Sequence, residues 1–190
     1  VTNKHLAPVG SIPMIEYPLH TLTKLGIQEI SVVTGGEHFS DIARYLGQLH
    51  PKINFSYHYQ QHAGGIAQAL YLVRSVVGKE KIAVILGDNI FEEDFSEVTN
   101  NFENSNLGTM LFLKKVMDPE RFGVAELRGD KIINIEEKPK EPKSELAVTG
   151  LYLYDSTVFD KIRDLKPSAR GEYEITHANN VYVKERKAGY

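Results

Sequence analysis

Apolar residues recur at helical spacing in several segments of the chain. Between residues 14 and 25, Ile15, Leu19 and Leu22 fall on one helix face, and Gly26 follows as a candidate C-cap. The same pattern predicts further helices over residues 39–46, 66–77, 95–102, 157–162 and 174–185.

Short apolar runs separate these segments and predict strands over residues 30–33, 53–59, 82–86, 109–113, 123–127, 131–136 and 146–154. The turn Arg128-Gly129-Asp130 joins two of them and indicates a hairpin. In the first half of the chain, strands and helices alternate. This order favours an α/β fold, in which a parallel sheet carries helices on both faces. Ligands of such sheets lie beyond the carboxyl ends of the strands.

Composition narrows the class of protein. The chain has 190 residues, which suits one domain, and its formal net charge of -3 gives no general attraction for nucleic acid or an anionic membrane. It has no cysteine, which excludes disulfides and thiolate metal sites and favours a cytoplasmic protein. No apolar run approaches the roughly 20 residues that span a bilayer.

Two loops at the expected ligand edge carry candidate chemistry. Asp88 follows the most apolar strand, where its oxygens could reach a hard cation. An aspartate there could equally be a turn or N-cap residue. The loop from Gln60 to Gly65 should lie at the same edge, and its glycines could bring backbone N–H groups close to a flat ligand. Ordinary turn chemistry would explain Gly64-Gly65 as well.

Further polar residues are individually ambiguous. Glu136-Glu137-Lys138 could pair a phosphate-binding ammonium with carboxylates for sugar hydroxyls, or could be a solvated charge cluster. Lys4 and Arg170 are isolated cations that in themselves suggest only surface residues. The seven histidines show no metal-ligand spacing.

Together, the ordered motifs closely resemble those of sugar-1-phosphate nucleotidylyltransferases, in particular bacterial and archaeal glucose-1-phosphate thymidylyltransferases. The matching segments are residues 4–9, 13–18, 60–69, 86–90, 118–124, 135–139, 148–152 and 167–176. The series covers essentially the whole chain. It implies a Rossmann-like nucleotidyltransferase fold: a mixed, mostly parallel sheet with helices on both faces, incomplete at both termini.

The resemblance also implies a reaction. A sugar-1-phosphate oxygen would attack the α-phosphorus of dTTP in line, releasing pyrophosphate and forming dTDP-glucose with the help of Mg²⁺. Alternatives are a related enzyme that uses UTP or CTP, and a non-catalytic domain that binds sugar nucleotides for regulation. A dehydrogenase is disfavoured because no Gly-x-Gly-x-x-Gly follows a predicted strand.

Roles carry over residue by residue from the same resemblance. Asp88 would bind Mg²⁺, and Lys4 would lie near the triphosphate. Gln60 would read the pyrimidine edge, since an amide offers both a donor and an acceptor. The remaining matches are Gly65 beside the base, Gly123 and Glu137 at the sugar, Lys138 and Arg170 at phosphate, and the backbone from Val148 to Gly150 along the sugar pocket.

Two family segments fall outside residues 1–190. One is a strand with a Gly-Gly-x-Gly-Thr-Arg loop, expected before Lys4, and the other is a Trp-x-Asp segment with a second metal-binding aspartate. Within the single domain, we expect residues 1–105 to form a nucleotide-binding half and residues 106–190 a sugar-phosphate-binding half. The expected partners are dTTP or another nucleoside triphosphate and a sugar-1-phosphate, and a homo-oligomer is common in the family.

Overall fold

A computed structural model describes residues 3–36 and 39–190 of the chain. The helices are α1 (Glu16–Lys24), α2 (Phe39–Leu49), α3 (Ile66–Tyr71), α4 (Arg74–Val77), α5 (Ser96–Glu103), α6 (Val158–Arg163) and α7 (Ile175–Lys184). Short 3-10 turns cover Lys4–Leu6 and Pro119–Arg121. No helix within the described ranges has the length and apolar character needed to cross a membrane.

Within the described residues, ten strands accompany these helices. They are β1 (Pro8–Val9), β2 (Ile12–Pro13), β3 (Glu29–Thr34), β4 (Asn54–Tyr59), β5 (Ile82–Ile85), β6 (Thr109–Lys115), β7 (Gly123–Arg128), β8 (Lys131–Glu137), β9 (Leu146–Tyr154) and β10 (Ala188–Gly189). The predicted α/β architecture with a mixed sheet is confirmed.

The main sheet is organised around β9. This strand pairs antiparallel with β5, β6 and β7, while β8 extends the sheet beyond β7 and β10 adds a parallel edge to β6. A separate parallel pair joins β3 and β4, with Val32 opposite Tyr57. The pairing of β5 with β9 is antiparallel, whereas the apolar run at residues 82–86 had suggested a parallel strand.

Several boundaries differ from the sequence prediction for local reasons. The single helix predicted over residues 66–77 divides into α3 and α4, because the Leu72 and Val73 amides bond carbonyls three residues back and tighten the chain. The strands β1, β2 and β10 were not predicted. Each is only two residues long and is defined by its partner rather than by a periodic pattern.

Two apolar cores support the main sheet and the β3–β4 pair. The larger packs the main sheet against α3, α6 and α7 and contains the fully buried Leu111, Tyr154, Val158 and Tyr182. The smaller lies on β3 and β4 beneath α1 and α2, around Leu19, Ile42 and Leu46. Leu19 of α1 and the partly buried Ile15 before it contribute to the smaller core, as their helical spacing predicted.

A groove separates β3 from β5. Among the described residues, β3 pairs only with β4 and β5 only with β9, so one backbone edge of each strand faces the groove. A cavity of about 420 Å³ lies there, lined by aliphatic side chains including Leu19, Val32 and Val84. Unpaired N–H and C=O groups of two strands therefore face each other across this groove.

We expect the open edges to dominate the dynamics of a polypeptide of these 190 residues. Backbone amides of β3 and β5 that face the groove should exchange with solvent through local opening. Amides of β9, which is paired on both sides, should exchange only on global unfolding. Hydrogen exchange followed by mass spectrometry measures both sets in one sample, and equal protection of β5 and β9 would contradict an open groove.

Candidate active site

An ion pair stands at the carboxyl end of β5. The Lys4 Nζ donates to Asp88 Oδ2 at 2.7 Å, although the two residues are 84 positions apart. Lys4 is held in its 3-10 turn because Asn3 Oδ1 accepts the His5 backbone N–H at 2.9 Å. The side chains of Lys4 and Asp88 are 66% and 38% exposed, so the pair faces solvent at the ligand edge of the strand.

This environment keeps Asp88 ionised. Burial alone would raise the pKa of the carboxyl, but the hydrogen bond and charge of Lys4, helped by Asn89 and His5, outweigh it and lower the pKa below its usual value. The pKa of His5 is also lowered, chiefly by burial and then by the charge of Lys4. The arrangement offers a carboxylate and an ammonium side by side near neutral pH.

Asn89 connects Asp88 to the central strand. Its Nδ2 donates to Asp88 Oδ1 at 3.2 Å, and its Oδ1 accepts the Gly150 backbone N–H at 3.1 Å. A Cβ at position 150 would lie 2.6 Å from Asn89 Oδ1, so only glycine permits this contact. Two predicted site residues, Asp88 and Gly150, are therefore linked through one amide.

The loop before α3 is fixed against the segment before α7. Gly65 has φ 94°, a left-handed conformation that favours glycine, and a Cβ there would lie 2.5 Å from the Tyr173 carbonyl oxygen. That carbonyl accepts the Ala67 N–H at 3.2 Å, and the Tyr173 N–H donates to the Gly64 carbonyl at 2.8 Å. The predicted base-binding loop is held rigidly by these backbone bonds.

Gln60 reaches across the same loop. Its Nε2 donates to Gln68 Oε1 at 2.9 Å and, more weakly, to the Gly65 carbonyl at 3.4 Å. The two residues assigned to base recognition, Gln60 and Gly65, are thus in direct contact.

The ends of β7 and β8 meet the start of α7. Thr176 Oγ1 donates to Glu137 Oε2 at 2.5 Å, and a Cβ at Gly123 would lie 3.0 Å from Thr176 Oγ1 and 3.3 Å from Glu137 Oε2. Gly123 therefore leaves space in front of the Glu137 carboxylate. These two residues, both predicted at the sugar, are brought together.

Arg170 lies beside this group in an acidic environment. Its guanidinium donates to both oxygens of Glu174 at 2.9 and 3.0 Å and lies 3.7 Å from Glu137 Oε1. The hydrogen bond with Glu174 is the largest contribution to a raised Arg170 pKa. Because the Glu174 side chain is only 7% exposed, it orients the guanidinium, while Arg170 itself stays 39% exposed and accessible to an anion.

Lys138 differs from Arg170 in having its charge free. The residue is exposed, and its ammonium makes no hydrogen bond or ion pair with residues 3–36 or 39–190. Its φ of 45° is unusual for a non-glycine residue, and its N–H is held by the Phe122 carbonyl at 2.9 Å. Strained backbone of this kind is often found at functional sites.

Val148 packs its side chain into the main core at 9% exposure, so only its backbone could line a pocket.

The donor set suits a hard cation at one position. Asp88 supplies an ionised, partly exposed carboxylate. The described ranges contain no group of three or more His, Asp or Glu arranged to hold a metal. Mg²⁺ keeps several waters and binds substrate phosphates through few protein carboxylates, so a single carboxylate ligand fits it.

Comparison with known proteins identifies the family. A sequence model described as nucleotidyl transferase matches residues 1–190. The chain belongs to the nucleotidyl transferase family.

Named members of the nucleotidyl transferase family are similar along almost the whole chain. A glucose-1-phosphate thymidylyltransferase of Neisseria meningitidis is 40% identical over 186 residues, covering 96% of this chain and 65% of the relative. One of Mycolicibacterium smegmatis is 42% identical over 184 residues, covering 95% and 64%. The chain thus spans 65% and 64% of the length of these two curated relatives.

Solved structures agree on the fold. A structure from Bacillus anthracis, described as a glucose-1-phosphate thymidylyltransferase in complex with sucrose, is 52% identical with a TM-score of 0.94, covering 100% of this chain and 78% of that one. A UDP-glucose pyrophosphorylase complexed with UDP-glucose has a TM-score of 0.82 at 22% identity, covering 98% of this chain and 81% of its own. That second likeness shows the fold alone.

Four residues of this nucleotidyl transferase site were not assigned a role from the sequence. They are Gln68, Asn89, Glu174 and Thr176, each in contact with a predicted site residue. All four lie inside the motif segments that carried the resemblance. Thr176 meets Glu137 from 39 positions away, so that contact depends on the fold. Gln68, Asn89 and Glu174 contact residues only eight, one and four positions away, through loop geometry that the motif pattern does not show.

We expect Lys4→Met to raise the Asp88 pKa, because burial remains while the main stabilisation of the carboxylate is lost. A ¹³C-carboxyl NMR titration of the natural full-length protein measures this directly. Lys115→Met is the matched control, since Lys115 lies on β6 and pairs with Glu145 instead of Asp88. The same Asp88 titration in both variants would show that Lys4 does not set the charge of this site.

Proposed function

We propose that this protein transfers a thymidylyl group from dTTP to glucose-1-phosphate. The phosphate oxygen of the sugar attacks the α-phosphorus, the bond from that phosphorus to the β-phosphate oxygen breaks, and dTDP-glucose and pyrophosphate result. The family match over residues 1–190 and the names of relatives at 40% and 42% identity support the proposal.

The observation that carries the proposal is the exposed Lys4–Asp88 pair. An exposed ion pair contributes only about 0–1 kcal/mol to folding, so its placement at the ligand edge of β5 is better explained by chemistry than by stability. We assign Asp88 as the Mg²⁺ ligand and Lys4 to the triphosphate. Mg²⁺, when bound there, would neutralise charge on the phosphates and on the leaving pyrophosphate.

We assign the second substrate to the Arg170 side of the site. Arg170 and Lys138 supply two cations for the sugar phosphate, and Glu137 beside Gly123 supplies a carboxylate for sugar hydroxyls. The backbone from Val148 to Gly150 would line the sugar. Positioning together with charge stabilisation is then the main source of catalysis, and no covalent enzyme intermediate is needed.

The wider setting follows from the same proposal. Residues 1–105 would bind the nucleotide and residues 106–190 the sugar phosphate. We expect a cytoplasmic homo-oligomer, the compartment being supported by the absence of cysteine.

The direct test is ³¹P NMR of the natural full-length protein with Mg²⁺, glucose-1-phosphate and one nucleoside triphosphate at a time. We expect dTTP to be converted to dTDP-glucose and pyrophosphate faster than UTP or CTP. Preference for UTP or CTP would indicate a related nucleotidyltransferase. Binding of a sugar nucleotide without any turnover would indicate a regulatory domain.

We expect Asp88→Asn to lower kcat/KM at least about a hundredfold while the thermal unfolding midpoint is retained. Removing a carboxylate charge from a site that bridges phosphates costs several kcal/mol, and each ~1.4 kcal/mol is tenfold in rate. Asp130→Asn, in the exposed hairpin turn, is the matched control. Activity within about tenfold of wild type, roughly 1.4 kcal/mol, would remove Asp88 from the metal site.

A further inference from the structure

The Gln60 amide is engaged on one side only. Both of its hydrogen bonds use Nε2 as the donor, to Gln68 Oε1 and to the Gly65 carbonyl. Its Oε1 makes no hydrogen bond with residues 3–36 or 39–190, and it is not among the buried unpartnered atoms of those ranges. The carbonyl oxygen of Gln60 is therefore the open end of the amide.

The orientation of this amide is determined by its surroundings. Oxygen and nitrogen of a glutamine can be exchanged by a half-turn, and two facing glutamines could both be turned without loss. The Gly65 carbonyl removes this ambiguity, because it can only accept a hydrogen bond. Nε2 of Gln60 must face it, and Gln68 must then present Oε1 to Nε2.

Gln68 is closely placed for this contact. It lies in the first turn of α3, three residues after the helix cap Gly65. Its amide lies over Gly64, where an added Cβ would be 2.3 Å from Gln68 Oε1. Any residue larger than glycine at position 64 would therefore displace the Gln68 amide from Gln60.

We infer that Gln68 is a positioning residue that makes the site select keto pyrimidines. This inference rests on the proposed function. With both N–H groups of Gln60 held by Gln68 and Gly65, the amide offers the base an acceptor only. Thymine and uracil carry an N3–H that can donate to it, whereas N3 of cytosine carries a lone pair and would repel it.

This refines the expectation from the sequence, in which Gln60 presented both a donor and an acceptor. A matched hydrogen bond adds only modestly to the binding free energy. A mismatched pair of polar atoms costs more binding free energy than that, because both atoms lose their water and neither gains a partner. Discrimination between bases of the same size is obtained in this way. The simpler alternative is that Gln68 only stabilises the first turn of α3.

Two substitutions at position 68 separate these roles. Gln68→Leu removes the shorter of the two hydrogen bonds that hold Gln60 Nε2 and leaves only the 3.4 Å contact with the Gly65 carbonyl, which is too weak to keep the amide from turning. Gln68→Glu keeps an acceptor for Nε2. The natural full-length protein is assayed with dTTP and dCTP at saturating glucose-1-phosphate, and the unfolding midpoint of each variant is measured. Gln60→Ala gives the effect of losing the base contact altogether, and Gln48→Leu on exposed α2 surface is the matched control.

We expect Gln68→Leu to raise KM for dTTP about three- to tenfold with little change in kcat, because the base contact is uniform between ground and transition states. The ratio of kcat/KM for dTTP to that for dCTP should fall toward the Gln60→Ala value. Gln68→Glu should keep the wild-type preference, and Gln48→Leu should behave as wild type.

Two results would overturn the inference alone: an unchanged preference in Gln68→Leu, or equal loss of preference in Gln68→Glu and Gln68→Leu. A wild-type preference for dCTP over dTTP would overturn both this inference and the proposed use of dTTP. A wild-type protein that forms no nucleotide sugar with any triphosphate would instead overturn the proposed function, and this inference with it.

Discussion

The pairing of β9 with three other strands is the constraint on which the structure depends. This strand is nine residues long, is largely buried, and joins β5, β6 and β7 into one sheet. Because β5 is aligned on β9, the short segment that follows β5 is held at a fixed place at the sheet edge, where the Leu86 N–H donates to the Gly150 carbonyl. Asp88 reaches that place, and Asn89 ties it back to Gly150 of β9. The proposed metal ligand and part of the proposed sugar pocket are therefore positioned by the same strand.

Electrostatics explains why the site residues are arranged as they are. Lys4 and Asp88 are too exposed for their attraction to contribute much to folding, and Arg170 is held by carboxylates rather than buried in the core. Lys4 and Arg170 are each oriented by a carboxylate before any ligand arrives. Preorganised charges of this kind act on a developing phosphate charge without a further cost of reorganisation. Lys138, with a strained backbone and no charged partner in the described part of the chain, is the most available of the three cations.

The sequence predicted elements well where the signal was local. The helical spacing of Ile15, Leu19 and Leu22 corresponds to α1, and the Arg128-Gly129-Asp130 turn lies between β7 and β8 as predicted. Contacts between distant segments could not be predicted from local patterns: β10 is defined by its pairing with β6, and Thr176 reaches Glu137 from 39 positions away. From the residues alone, Lys4 and Arg170 suggested only surface cations. Their roles came from the resemblance and remain predictions.

The most direct test of the account is a crystal structure of the natural full-length protein with dTTP and Mg²⁺. We expect the metal within about 2.0–2.1 Å of an Asp88 carboxylate oxygen, with Lys4 moved from Asp88 to the triphosphate and the base against Gln60. A nucleotide bound elsewhere, with the Lys4–Asp88 pair intact, would contradict the assignment of this sheet edge as the active site.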